Sequence, residues 1–192
     1  MPTSELLEPT ADVSAVQLVP EDALYEVVNG QRVEKPPMSI LAIRLGFLIA
    51  YYLEVFLTTN KLGVAVTEAI FLLDATRNLQ RRPDAAYVSY ARWPASQLLP
   101  DTDPWRIVPN MATEVISPSN IAADVNDKIW EYLRAGVELV WVIYPRQQQI
   151  YVYESPDRVR LVLPNGELDG GSVLPGFRLP LATLFGSLTP ST

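Results

Sequence analysis

The chain has 192 residues and a formal charge of −7, and it contains no cysteine and no histidine. These absences exclude disulfides, thiol nucleophiles, zinc fingers and histidine-based catalytic triads. They also require that any bound metal be a hard cation held by oxygen atoms, such as Mg²⁺, Mn²⁺ or Ca²⁺. The acidic balance disfavours a protein that coats DNA nonspecifically, because phosphate binding needs positive charge.

The length and composition are those of one globular domain. Residues 1–19 are predicted to be a flexible acidic leader, and residues 20–192 a single domain. The N-terminal sequence lacks the basic and apolar regions of a secretion signal. The most apolar stretch, residues 45–57, contains Glu54 and is predicted to be too short to span a bilayer. We therefore expect a cytoplasmic protein without membrane contact.

The first predicted elements are a hairpin and a long helix. Residues 25–34 form two short strands around Asn29-Gly30, a dipeptide typical of two-residue turns because both positions take positive φ. Ser39 can cap a helix that runs to about Thr58. The apolar positions at helical spacing in this segment are Ile40, Ile43, Phe47, Leu48 and Tyr51.

The rest of the chain alternates strands with two further helices. The predicted strands are residues 64–73, 84–90, 111–117, 137–144, 149–155 and 159–164. A helix begins at Ser119 or Asn120 and ends at Gly136, and a short helix covers residues 181–185. The unit from 111 to 144 should be a right-handed strand–helix–strand crossover. This order predicts an α/β fold with a mixed sheet flanked by helices and an antiparallel C-terminal meander.

Four charged residues occupy positions where the local pattern favours apolar side chains. These residues are Glu68, Asp84, Glu114 and Lys128. Glu68 and Glu114 share strand faces with apolar residues when counted at period two. At 100° per residue, Lys128 flanks the apolar stripe of the second long helix, whereas Glu131 lies on the other side and Trp130 about 180° away.

Each of these residues also has a purely structural explanation. A strand glutamate can lie at a sheet edge or in a salt bridge, and Asp84 can cap a turn after Pro83. Lys128 can extend its ammonium to solvent or pair with Asp124. Together, however, three carboxylates and a lysine around one sheet predict a site for a divalent cation, because buried charges must be paired.

Several short motifs together resemble the Uma2 family of restriction-endonuclease-like proteins. The motifs are Arg81-Arg82-Pro83-Asp84, Glu114-Val115-Ile116-Ser117-Pro118-Ser119, Lys128 in a helix, and Ala135-Gly136-Val137 followed by Trp141. The hairpin Tyr25-Glu26-Val27-Val28-Asn29-Gly30 and the later Leu174-Pro175-Gly176-Phe177 also fit. The resemblance extends over residues 20–186.

The resemblance implies the PD-(D/E)xK nuclease fold, also called restriction-endonuclease-like, and a nuclease activity. Asp84 and Glu114 would bind Mg²⁺ or Mn²⁺, with Glu68 as a further ligand and Glu26 as an additional acid. Ile116 stands where the usual motif has lysine, and Lys128 would replace that lysine from the helix. Many members carry a histidine near the start of the first long helix, which this chain lacks.

The expected partner is nucleic acid, with DNA preferred. Around Asp84 the sequence is locally basic, and these arginines would contact the nucleic-acid backbone: Arg77, Arg81, Arg82 and Arg92. Trp130, on the outer face of its helix, suggests a homodimer. Two other functions remain open, namely a nuclease fold kept only for binding or oligomerisation, and a hydrolase with a Ser117–Lys128 dyad.

Overall fold

The computed structural model describes residues 23–188, so the predicted leader, residues 1–19, lies outside the described part. The helices in this part are α1 (Ile40–Asn60), α2 (Ala122–Ala135) and α3 (Leu181–Gly186). The strands are β1 (Tyr25–Val28), β2 (Gln31–Glu34), β3 (Gly63–Thr67), β4 (Phe71–Asp74), β5 (Leu79–Arg81), β6 (Ala85–Ser89), β7 (Met111–Val115), β8 (Leu139–Tyr144), β9 (Gln149–Ser155), β10 (Arg158–Val162), β11 (Glu167–Gly170) and β12 (Leu174–Pro180).

A mixed six-stranded sheet forms the centre of the fold. Its strand order is β10-β9-β8-β7-β6-β3, and only β7 and β8 run parallel. Helix α2 connects these two strands, as a parallel pair requires a crossover connection. The predicted strand–helix–strand unit is therefore confirmed. So is the central position of β8, whose apolar run is buried on both faces.

The predicted strand over residues 64–73 is wrong, because the chain turns a corner in its middle. Glu68 adopts a left-handed backbone with φ of 52° between β3 and β4. Strand β3 belongs to the central sheet, whereas β4 belongs to a second sheet of order β2-β1-β5-β4. Alternation of apolar residues continues across this corner and therefore conceals it from a period-two count. Glu68 lies at the junction of the two sheets.

Helix α1 starts as predicted but presents a different face to the core. The Ser39 side chain accepts a hydrogen bond from the Ala42 amide, which confirms the N-cap. The buried face is Ala42, Leu45, Gly46, Leu48, Ile49, Leu53 and Leu57. Of the five apolar positions chosen from the sequence, only Leu48 is buried. The helix is apolar on both faces, so periodicity could not tell which face packs inward.

Helix α1 also corrects the prediction about membrane spans. By length and composition it is the one helix among residues 23–188 that could cross a membrane, and 39% of its most apolar window is buried. The apolar stretch is thus long enough, contrary to the sequence estimate. One face nevertheless packs against β3, β6 and β7, as the core helix of a globular protein does.

Helix α2 begins slightly later than predicted. Its N-cap is Ile121 without a side-chain cap, so neither Ser119 nor Asn120 begins the helix. The Ser119 hydroxyl instead bonds with the Ser117 hydroxyl at 2.8 Å, and the Asn120 side chain accepts from the Ser117 amide. Gly136 ends the helix with φ of 98°, as expected for a C-terminal glycine.

Two apolar layers enclose the central sheet. One joins α1, α3 and β12 to the sheet, and the other joins α2 and the second sheet to the opposite face. Strands β9 and β10 form the predicted antiparallel meander. The following hairpin of β11 and β12, which the sequence reading missed, packs beside α1. The fold is therefore the predicted α/β arrangement, a mixed sheet flanked by helices.

Candidate active site

Asp84 lies where the two sheets and α1 meet. It immediately precedes β6, and its amide donates to the Thr113 carbonyl at 2.9 Å. Helix α1 passes close by at Gly46, where a Cβ atom would lie 3.3 Å from both the Cβ and the carbonyl oxygen of Asp84. Glycine at this position lets the helix backbone approach the backbone of Asp84, because any side chain would fill the space between them.

Two groups hold the Asp84 carboxylate. Its Oδ2 atom accepts a hydrogen bond from the Val115 amide at 2.6 Å, and its Oδ1 atom lies 2.6 Å from the Lys35 ammonium. The same ammonium contacts Glu68 at 2.9 Å and the Arg82 carbonyl at 3.3 Å. Lys35 therefore bridges Asp84 and Glu68, with only 5% of its side chain exposed.

Glu114 is the penultimate residue of β7, on the face that α2 covers. Its Oε1 atom accepts a hydrogen bond from the Tyr132 hydroxyl at 2.7 Å. Its Oε2 atom lies 3.6 Å from the Lys128 ammonium, which also contacts Glu26 at 2.9 Å. Lys128 thus points toward the sheet that carries Glu114, as its helical position predicts. It pairs with carboxylates of other elements rather than with Asp124.

The cluster of paired charges formed by Lys35, Asp84, Glu114 and Lys128 extends to the second sheet through Glu26. Its carboxylate receives Arg81 Nη1 at 2.7 Å and the Arg82 amide at 3.1 Å. Arg81 also contacts Glu131 through Nε at 2.6 Å. Glu131 therefore points toward the cluster. The helical wheel placed it away from the apolar stripe, but the second sheet covers that side of α2 as well.

Each of the four arginines that were predicted to contact a nucleic-acid backbone has an acidic partner within the chain. Arg81 and Arg82 are buried, and Arg82 contacts Asp103 and the Glu68 carbonyl. Arg77 pairs with Asp74 at 2.9 Å. Arg92 contacts Glu138 and the Val108, Pro109 and Gly136 carbonyls. Their charges are locally compensated, so their contact with a nucleic-acid backbone stays a prediction without a free basic surface to support it.

Burial and pairing determine the protonation of the cluster. Burial raises the pKa of Asp84 above its ordinary value, although Lys35 opposes this, and it raises the pKa of Glu114, opposed by Lys128. Burial would lower the pKa of both lysines, but the surrounding carboxylates outweigh it and raise the pKa of Lys35 and of Lys128. The two carboxyls therefore depend on a nearby cation to remain ionised.

A small cavity of about 20 Å³ lies between these groups. Its charged lining consists of Lys35, Asp84, Glu114 and Lys128, with the Ser117 side chain beside them. About 10–15 Å³ suffices for one water molecule. Among residues 23–188, no group of three or more acidic, histidine or cysteine side chains is arranged to hold a metal. Mg²⁺, however, commonly uses one or two carboxylates plus waters, so Asp84 and Glu114 fit that ion.

Two open clefts flank this cavity. The first, of about 500 Å³, is mostly apolar, with Ile43 and Phe47 on one wall, and it reaches Glu68 and Asp84. The second, of about 410 Å³, is lined by Arg81, Lys128 and five acids, namely Glu26, Glu34, Asp124, Asp127 and Glu131. Acids outnumber bases in the second cleft, so an anionic substrate there would need an additional cation.

Two contacts of the cluster were not predicted from the sequence. One is the pairing of Lys35 with Asp84, and the other is the hydrogen bond from Tyr132 to Glu114. Lys35 follows an exposed strand and precedes two prolines, so its sequence context is that of a surface lysine. Tyr132 was assigned to the apolar stripe, and its hydroxyl gives no sequence signal of a partner in β7. Both contacts join elements that are distant in the chain.

Comparison with known proteins gives one structural match and one family match for this chain. A crystal structure described as "a putative nuclease belonging to DUF820 from Anabaena variabilis ATCC 29413" superimposes with a TM-score of 0.75 at 18% identity, over 86% of this chain and 91% of that one. At this identity the similarity establishes the fold alone. No curated protein matches. The family model described as "Putative restriction endonuclease" matches residues 12–182, and the chain therefore belongs to the Uma2 family.

Proposed function

We propose that the chain hydrolyses phosphodiester bonds of nucleic acid, with DNA as the expected substrate, and that it uses Mg²⁺ or Mn²⁺ bound at Asp84 and Glu114. The observation that carries this proposal is the cavity between these carboxylates, which is lined by two lysines and has room for one ion or water. Its position in a nuclease-like fold of the Uma2 family adds support.

Each residue has a defined task in this proposal. Asp84 and Glu114 hold the ion, and the Tyr132 hydroxyl orients Glu114. A bound Mg²⁺ would polarise a phosphoryl oxygen and lower the pKa of the attacking water. Lys128 donates a hydrogen bond to that water or to a phosphoryl oxygen and thereby offsets the charge that develops in the transition state. Glu26 holds the Lys128 ammonium in place.

Glu68 can join the ion only after a rearrangement. Its carboxylate is bound to Lys35, whose ammonium also contacts Asp84. Lys35 therefore holds both the carboxylate of Glu68 and one of the carboxylates that would bind the ion. We expect ion binding and the Lys35 contacts to compete, so the affinity for Mg²⁺ alone should be modest.

The test is nicking of supercoiled plasmid in the presence of Mg²⁺ or Mn²⁺. Asp84→Ala and Lys128→Ala should each lower the rate on the order of 100-fold or more. Asp101→Ala, at an exposed loop position, is the control and should act like the unsubstituted protein. Equal nicking by all four proteins would contradict the assignment. The same comparison with single-stranded RNA separates DNA from RNA as substrate.

A binding or oligomerisation module without catalysis is the second candidate. Its support is the internal pairing, because Lys35, Lys128 and Arg81 already neutralise the buried carboxylates. Calorimetric titration with Mn²⁺ distinguishes the candidates, since a module of this kind should show no saturable heat that depends on Asp84. The Ser117–Lys128 hydrolase has weaker support, because the Ser117 hydroxyl bonds with Ser119.

A further inference from the structure

Helix α1 carries an apolar face that nothing in the described part of the chain covers. Five large side chains on its outer side are half or more exposed, namely Ile40 at 86%, Ile43 at 55%, Phe47 at 52%, Tyr51 at 50% and Val55 at 50%. The Phe47 and Tyr51 rings stack with centroids 6.3 Å apart at its centre. These five residues are called the outer face below.

The outer face is at the upper end of the size range of apolar patches on monomers. Large apolar side chains have accessible areas on the order of 150–250 Å², so the outer face exposes roughly 500–600 Å². The largest apolar patch on a typical monomer is about 300–600 Å² and is often functional. A standard protein interface buries about 800 Å² per partner. With its flanking polar residues, the outer face is large enough to form the centre of such an interface.

Four of the five outer-face residues are symmetric about residue 49, and the fifth, Ile40, has Thr58 as its counterpart. Reversing the helix about that position pairs Ile43 with Val55 and Phe47 with Tyr51. It also pairs Arg44 with Glu54, both of which are exposed. At 100° per residue, Arg44 and Glu54 fall within the same arc as the five apolar residues. An antiparallel copy of the helix would therefore place these four apolar residues opposite apolar residues and Arg44 of each copy opposite Glu54 of the other.

We propose that the outer face binds a second copy of this chain, with the two α1 helices antiparallel around a two-fold axis near residue 49. Such an interface is self-complementary, because the same residues contribute from both sides. Two Arg44–Glu54 pairs would flank a centre formed by Phe47 and Tyr51. This locates the homodimer contact on α1 rather than at Trp130, which is half-buried and lies beneath the Arg134 guanidinium.

The two charges make a membrane the less suitable occupant. Arg44 and Glu54 lie inside the apolar arc of the outer face, about one and a half turns on either side of its centre. Charged groups near the middle of a bilayer-facing surface are costly, whereas opposite charges brought together across a protein interface can pair. The opposite face of α1 is committed to the core, so α1 cannot leave the fold without exposing it.

Dimerisation would also change the apolar cleft beside the candidate active site. Ile43 and Phe47 belong both to the outer face and to the wall of that cleft. A second copy seated on α1 would therefore cover part of the opening that leads toward Glu68 and Asp84. The proposed interface does not depend on nuclease activity, and its test uses no substrate.

The test measures the mass of the full chain in solution by light scattering and sedimentation at micromolar concentrations. The unsubstituted protein should have twice the 21.4 kDa chain mass. Arg44→Glu should weaken dimerisation on the order of 100-fold, because like charges then face each other. The double variant Arg44→Glu with Glu54→Arg should restore it. Arg146→Glu, at an exposed turn far along the chain, is the matched control and should leave the mass unchanged.

Cross-linking tests the geometry of the interface even if a variant dimerises only weakly, because a disulfide traps the dimer. The chain has no cysteine, so introduced cysteines are the only thiols. A mixture of Ile43→Cys and Val55→Cys chains should form disulfide-linked dimers on mild oxidation, and neither variant alone should do so efficiently. Melting temperatures confirm that each variant is folded.

Three results would overturn the proposal. The first is that the unsubstituted protein is monomeric, whether or not it binds lipid vesicles. The second is that Arg44→Glu leaves the dimer intact. The third is that folded cysteine variants cross-link equally well in pairs other than residue 43 with residue 55.

Discussion

Replacing Lys35 by Met tests the centre of the candidate site most directly. The substitution removes the ammonium that bridges Asp84 and Glu68 but keeps most of the aliphatic volume. It leaves Asp84, a residue that is 3% exposed, with the Val115 amide as the remaining hydrogen-bond donor to its carboxylate among the described contacts. We expect a large loss of stability in the absence of divalent cations.

The magnitude follows from the contact distances. At 2.6 Å and an effective dielectric constant of about 20, the Lys35–Asp84 attraction is about 6 kcal/mol. Taking the ammonium out of water opposes this by several kcal/mol, so the pair itself contributes much less than the attraction. Removing one partner of a buried pair nevertheless typically costs about 3–5 kcal/mol, because the other charge stays buried. We expect Lys35→Met to lose this amount at neutral pH.

The assay is urea unfolding followed by tryptophan fluorescence, with and without Mg²⁺. Lys61→Met is the matched control, because Lys61 is exposed and its contribution at the end of α1 comes from its backbone amide. Saturating Mg²⁺ should restore part of the stability of Lys35→Met, since a ligand at 100 times its dissociation constant stabilises by about 2.7 kcal/mol. The unsubstituted protein should gain less, because its ammonium competes for the same carboxylates.

Two outcomes separate the parts of this reasoning. If Lys35→Met and Lys61→Met unfold at the same urea concentration, the buried pairing of Lys35 is wrong. If Lys35→Met is destabilised but Mg²⁺ has no effect on it, the pairing stands and the metal site at Asp84 does not.

Three further predictions concern the neighbours of this pair. Gly46→Ala should destabilise the fold by about 1–3 kcal/mol and lower its melting temperature, because the added methyl meets Asp84 at 3.3 Å; a rise in melting temperature would show that the helix can yield there. Tyr132→Phe should cost about 1–3 kcal/mol in urea unfolding, because it leaves a buried oxygen of Glu114 without its donor. The third concerns Glu26, whose pKa burial alone would raise but Lys128 and Arg81 lower overall. A carboxyl whose pKa is lowered by folding stabilises the folded state at pH values above its unfolded pKa of about 4.3, and this stabilisation is lost as the pH falls through the folded-state pKa. The stability difference between the unsubstituted protein and Glu26→Gln should therefore shrink from pH 6 to pH 3. A stability difference that does not change with pH would refute this prediction.

The sequence alone predicted several local features correctly. The hairpin turn at Asn29-Gly30, the Ser39 cap and the Gly136 helix end depend on the conformational preferences of single residues, and all three are confirmed. Helical periodicity also placed Lys128 on the side of α2 that faces Glu114. These predictions succeeded because the information lies within a few residues of the position concerned.

The features that failed depend on which elements become neighbours. The corner at Glu68 divides an apolar run between two sheets, and no periodicity within the run marks the division. The outer face of α1 is as apolar as its buried face, so only packing decided which one the core would take.

Charge pairing illustrates the same limit most clearly. The sequence identified carboxylates that require a cation, and it assigned the nearby arginines to contacts with a nucleic-acid backbone. In the folded chain Arg81 is held by Glu26, and Lys35 reaches Asp84 across 49 residues of sequence. Local patterning showed that carboxylates such as Glu114 share a strand face with apolar residues, whereas the partner of a buried charge is determined by the distance between atoms that only the tertiary fold brings together.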